Sequence, residues 1–423
     1  MTDDYGVRGI LMGGGIPHPW PLSIAAMISP YRSLWAMERG GGVSLQPGLI
    51  EFDVREGYGE TVVHIRSRYT VGAMIATIVA LLTVPEHVSA HERWFVADPN
   101  TYPIEWGRLL SWPVLAAMLI AVAAVIVALL LDRRYHAWQA AHRDDRRGVL
   151  AGINEEQLSR VYAYLPFLLA IHTAVPLLVN GFNLRLFAPN LAMRTNLLSG
   201  ILALAEVLIA LALVYGVFTR YAALGLVGLF VAGVVLGPFI GVPPSLLPEH
   251  VQLVGIAIFL YIIGRGPFSG DAILGQRVDP NPTLLHYAIP ALRWGVGLSF
   301  AILAFTEKLL NPTLARAFLA QSINFNLGSP FGLPDNLFIY GAGVAELVFG
   351  CLLISGALPR AVIIVLWVPS NLTLPYLGWV ELAGHLPIYA VLLTLLIIGS
   401  SDRPTVRRRA HILAEEAGRA SSQ

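Results

Sequence analysis

EVLIALALVYGVFTR (Glu206–Arg220) and ELVFGCLLISGALPR (Glu346–Arg360) decide how this chain is read. Each is a long apolar run with a single carboxylate inside it and an arginine fourteen residues later. A charged group at the centre of a membrane-spanning helix costs about 3 kcal/mol relative to an apolar residue, so two at matching places need a local reason. The match itself points to an internal duplication.

Working outward, the composition fits the same picture. Of 423 residues, 56% are hydrophobic and 13% charged, and the mean hydropathy is +0.65. Soluble domains carry about 25% charged residues, so the chain is expected to be a polytopic helical membrane protein in contact with the lipid bilayer. A net charge of +1 gives no footprint for nucleic acid. Cys351 is the single cysteine, which excludes an intrachain disulfide or a CxxC redox pair. The amino terminus lacks the order of a cleavable secretory signal, so membrane entry is expected through the first spanning helix.

A bilayer core of about 30 Å asks for roughly 20 residues per helix. Ten runs qualify approximately: 69–84, 109–131, 162–179, 197–217, 221–240, 246–264, 287–306, 338–357, 361–377 and 381–399. With both termini cytoplasmic, only Arg93, Arg108, Arg185, Arg194, Lys308 and Arg316 of the 28 basic residues fall outside. That asymmetry is the positive-inside pattern of a multi-pass protein of the plasma membrane.

The expected organisation is a cytoplasmic segment 1–68, a two-helix membrane module 69–131, a cytoplasmic linker 132–160, two four-helix repeats at 161–271 and 287–402, and a basic tail 403–423. Four helices are an even number, so the repeats run parallel and are related by a pseudo-two-fold axis along the membrane normal. Glu206 is nine residues into its helix, about 13 Å down and near the midplane at 1.5 Å per residue. HVQLVGIAIFLYIIG from His250 and HLPIYAVLLTLLIIG from His385 form a second matched pair; Arg185 before Pro189 and Lys308 before Pro312 form a third. In the first segment, alternation in LIEFDVRE and TVVHIRS around GYG predicts a β-hairpin, and 23–37 suits an interfacial helix.

Candidate site residues follow from polarity in apolar surroundings. Glu206 and Glu346 are either buried packing carboxyls or a proton or ligand site. His172 lies alone in its helix and pairs with Glu206 if the two helices face each other. His250 and His385 are either interfacial or contacts for a metal, haem or quinone. In PEHVSAHE, His87 and His91 stand four apart, a spacing that puts two imidazoles on one helical face; metal binding and an exposed polar loop are the two readings. No Walker loop, GxSxG, nucleotide fingerprint or CxxCH occurs.

LRWGVGLSFAILAFTEKLLNP (292–312), NLGSPFGLP (326–334) and the Glu346 helix ending in GALPR, together with the Glu206 helix ending in GVFTR and GRGPFSGD (264–271), resemble the DoxX family of four-helix membrane proteins, twice over across about 160–403. The second copy ends in GSSDRP, a departure from the family's glycine-rich exit. The resemblance implies a component of membrane redox metabolism, since one branch, DoxD, is a subunit of a thiosulfate:quinone oxidoreductase. It implies quinone as the candidate cofactor and redox subunits as candidate partners. A proton-coupled small-solute carrier and a structural or assembly protein are the alternatives, and fold alone does not choose among them.

Overall fold

A computed structural model describes residues 51–57, 60–66, 92–96, 99–141, 155–266, 269–276, 279–320, 326, 328–372 and 374–399. The interfacial helix over 23–37, the first span over 69–84, His87 and His91 lie outside these residues. The chain divides into two units, Met1–Val79 and Ala80–Gln423. In the first, β1 (Glu51–Gly57) pairs antiparallel with β2 (Glu60–Arg66), from Glu51 opposite Arg66 to Gly57 opposite Glu60. Among the described residues the second unit is built from helices.

It opens with a four-residue helix, α1 (Glu92–Phe95). Then come α2 (Trp112–Ala141), α3 (Glu155–Phe182), α4 (Leu197–Tyr215), α5 (Thr219–Ile240), α6 (Gln252–Ile263) and the short α7 (Gly270–Ile273). After α8 (Leu285–Leu303) the chain widens into a π-helix over Ala304–Leu309, followed by α9 (Pro312–Leu319), α10 (Asp335–Ser355), α11 (Pro359–Leu372) and α12 (Leu374–Ile398).

Seven of these segments are long and apolar enough to cross a membrane, and eight if Pro244–His250 and α6 count as one broken span. The continuous run read over 246–264 is therefore bent, by 49°, where Pro244 and Pro248 lock a 3-10 segment ahead of α6. The run read over 361–377 also ends differently: its apolar helix, Pro359–Val368, is short, and α12 already begins at Leu374. Outward faces are apolar, as lipid contact requires: Leu119 and Ile126 of α2, Leu204 and Leu208 of α4, and Val235 of α5 are all exposed.

Neighbour packing closes a ring. α3 packs on α4, α4 on α5 and α5 on α6; α8 packs on α10, α10 on α11 and α11 on α12. The two series meet reciprocally, α6 against α8 and α12 against α3. Outside the ring, Val114, Ala117 and Ala121 of α2 pack on Ala304, Leu309, Leu310 and Leu347.

Corresponding residues of the two opening stretches make corresponding bonds. α4 and α10 end on left-handed glycines, Gly216 (φ 64°) and Gly356 (φ 70°), where a side chain would be strained. Two residues on, Phe218 and Leu358 also have positive φ, and each has its N–H held by an aspartate: Asp271 Oδ1 at 2.5 Å and Asp132 Oδ1 at 3.1 Å. Arg220 Nε donates to Tyr261 O at 3.0 Å, and Arg360 Nε donates to Leu396 O at 3.0 Å. These arginines tie helix ends together.

Candidate functional site

Glu206 is completely buried, and its partner is backbone. Oε1 accepts the N–H of Phe187 at 2.9 Å, while Asn180 Nδ2 donates to Phe187 O at 2.9 Å. Phe187 has φ 65° in a connection whose Leu186, Ala188 and Leu191 are buried, so irregular chain dips inside the bundle there. Non-helical backbone at such depth is tolerated only where its polar groups are satisfied by protein, and Glu206 supplies that acceptor. His172 does not pair with it: Nδ1 turns back to Leu168 O of its own helix at 2.7 Å.

Glu346 behaves differently. Its Oε1 lies 3.0 Å from Lys308 Nζ, and Lys308 also reaches Glu92 Oε1 at 3.1 Å. Beside this triad Arg93 Nη2 donates to Thr306 O at 2.9 Å, and Arg93 Nε stands 3.5 Å from Glu249 Oε1. Glu307 is 1% exposed and its Oε1 has no hydrogen-bond partner; Thr306 Oγ1, Glu92 Oε2 and Glu346 Oε2 are likewise buried without one.

The π-helix explains how one short stretch contributes so much. Successive residues of an α-helix turn by about 100°, which sends neighbours to different surroundings. In the wider π turn, of a kind found at functional sites, Thr306, Glu307, Lys308 and Leu309 are all buried. Glu105 N bonded to Leu310 O at 2.9 Å and Asn311 Nδ2 bonded to Tyr102 O at 2.9 Å fasten the turn to the segment before α2. Glu249 comes from the 3-10 segment ahead of α6, and Ser299 Oγ is hydrogen-bonded to Glu249 O and, at 2.7 Å, to Gln252 Oε1.

The cluster thus joins four carboxylates, Glu92, Glu249, Glu307 and Glu346, to two cations, Arg93 and Lys308. Burial pushes Glu92 up to about 8, against the opposing pull of Lys308. Sequence reading singled out Glu346 alone among these six. Signals for the others were present: Glu307 and Lys308 adjoin at the end of an apolar run, Glu249 precedes His250, and Glu92 flanks the His87/His91 pattern. Only the fold brings them together.

The remaining histidines lie apart in role. His250 is buried with Nε2 unpartnered; His385 Nδ1 stands 3.2 Å from Glu381 Oε1, one turn away on α12, and its ring meets Tyr389 edge-on. Among the described residues no group of three or more His, Cys, Asp or Glu side chains is arranged to hold a metal ion. At the other end of α6 and α8, an apolar groove of about 380 Å³ between α5, α6 and α8 is lined by Leu224, Ile258, Tyr261, Tyr287 and Trp294 among others.

No protein family, curated protein or solved structure matches the chain.

Proposed function

We propose that this is a tandem, DoxX-like membrane protein whose buried cluster accepts and releases protons as part of a membrane redox system, with the chain as an accessory, quinone-facing subunit. One observation carries the proton half: four carboxylates share a low-dielectric site with two cations. Fully ionised, the cluster would hold uncompensated negative charge, which is costly away from water, and protons relieve it. The matched bonds of Arg220 and Arg360 and the reciprocal packing of α6 on α8 and α12 on α3 support two parallel copies. The redox half rests on the sequence resemblance, and the apolar groove, suited to an isoprenoid tail, agrees with it.

The test is redox-difference infrared spectroscopy on protein purified gently with its lipids, combined with lipid-quinone extraction. A bound quinone whose reduction perturbs a protonated-carboxyl C=O band, with that band lost in Glu307→Gln, supports the reading. Absence of both quinone and band overturns it.

One feature favours a proton-coupled carrier as the second reading: Glu249 belongs to the first copy and Glu307 to the second, and carrier sites lie at such an interface. Solute uptake into liposomes under a pH gradient, abolished by Glu307→Gln, separates the two.

A further inference from the structure

We propose that α1 is a removable plug over the cluster, so that the site exchanges protons only with water on the side of the membrane where α1 lies. The inference rests on the proton-exchange reading and adds the source of the proton.

The first ground is how α1 is held. A four-residue helix has no stability of its own. It packs on α9, and its polar anchors are Glu92 on Lys308 and Arg93 on Thr306 O, Glu249 and, through its backbone, Glu307; Val96 is buried beside them. Buried ion pairs gain little over their hydrated partners, because attraction is offset by lost solvation. Removing one partner strands the other and is costly, whereas lifting α1 as a unit lets water solvate the polar groups on both sides of the contact. Closed and open positions are therefore close in free energy.

What α1 covers is the second ground. Against Glu92 and Arg93 lie Glu249, Glu307 and Lys308, which in turn holds the part-exposed Glu346, and Glu307 Oε1 is buried and unpartnered. Water admitted by the plug would meet donors and acceptors ready for it.

The third ground is that the opposite approach is sealed. On α6 and α8 a Cβ at Gly255 would stand 2.4 Å from Ala291 O, and one at Gly295 would stand 2.9 Å from the Gly255 Cα. On α8 and α10 a Cβ at Gly297 would stand 2.7 Å from Gly350 O. Backbones this close leave no gap for water at these two seams, and Val296, Ile256 and Leu353 around them are buried and apolar. Both contacts lie between the cluster and the far end of the bundle.

A single-cysteine reporter tests this. With Cys351→Ser removing the only native thiol, Thr306→Cys places one at the floor of the site with little change of volume. The protein is reconstituted in liposomes and exposed to a membrane-impermeant charged thiosulfonate from either side. Phe331→Cys, exposed near the start of α10, reports α1's side, and Ile273→Cys in α7 reports the other. Modification of Thr306→Cys from α1's side alone, accelerated several-fold by Glu92→Gln with Arg93→Gln, is the expected result. Modification from the far side, no modification from either side, or a rate indifferent to the double substitution overturns the plug. Should the double variant not reconstitute, the sidedness measured with intact α1 still decides. Carboxyl bands recorded on the same samples keep the two ideas apart: bands without sided labelling remove the plug only, and sided labelling without bands removes the proton reading.

Discussion

Lys308 Nζ lies 3.0 Å from Glu346 Oε1, joining the π-helix that ends α8 to the middle of α10. Removing the cation leaves Glu346 without its charged partner inside the cluster. Lys308→Met is expected to cost about 3–5 kcal/mol, the range for breaking a buried pair from one side. The double variant Lys308→Met with Glu346→Gln is expected to recover part of that loss. Thermal unfolding of all three proteins in the same detergent measures it, and strictly additive losses would show that the two side chains do not interact.

Glu206 has a different task, and its substitutions should sort accordingly. Glu206→Gln keeps an oxygen for the Phe187 N–H and is expected to be mild, whereas Glu206→Leu leaves that buried donor unmade at about 1–3 kcal/mol. If Gln and Leu destabilise equally, the carboxylate is not serving the loop.

These two glutamates also mark how far the sequence could be read. Apolar runs located the long helices among the described residues because bilayer thickness acts on composition, one segment at a time. The matched position of Glu206 and Glu346 was equally visible. Their divergence was not, since it depends on whether a dipping backbone N–H or a lysine arrives from a neighbouring segment. The bend at Pro248 and the early start of α12 escaped for a related reason: hydropathy averages over a run and is blind to where its backbone bonds break. Glu92 and Arg93 lie far from Lys308 and Glu249 along the chain, so no local spacing pairs them.

Glu92 gives the fold a pH dependence with a definite sign. Its folded value of about 8 lies above the ordinary 4.5, so the neutral carboxyl is the form the closed site prefers. The stability it contributes is complete below the ordinary value and is lost as pH rises through about 8. The groups facing it are Lys308 and Glu307 of the π-helix and Glu346 of α10, while Arg316 on the adjoining α9 is engaged with Asn336. The difference in melting temperature between wild type and Glu92→Gln should therefore shift in favour of the variant between pH 6 and 9. A constant difference across that range would exclude Glu92 as the titrating group.

The seam between α6 and α8 is set by glycine. Gly255→Ala would place its Cβ 2.4 Å from the carbonyl oxygen of Ala291, a backbone atom that cannot rotate away. α6 and α8 must separate, and in a membrane their association depends on just such close approach between small residues. The expected loss is roughly 1–3 kcal/mol, as for overpacking elsewhere. Gly341→Ala in α10 is the control, because a Cβ there meets nothing within 4 Å and alanine is the better helix former. Unfolding of both variants in one detergent series decides the matter: if Gly255→Ala is as stable as Gly341→Ala, the α6–α8 contact is looser than the structure has it, and the seal beneath the cluster goes with it.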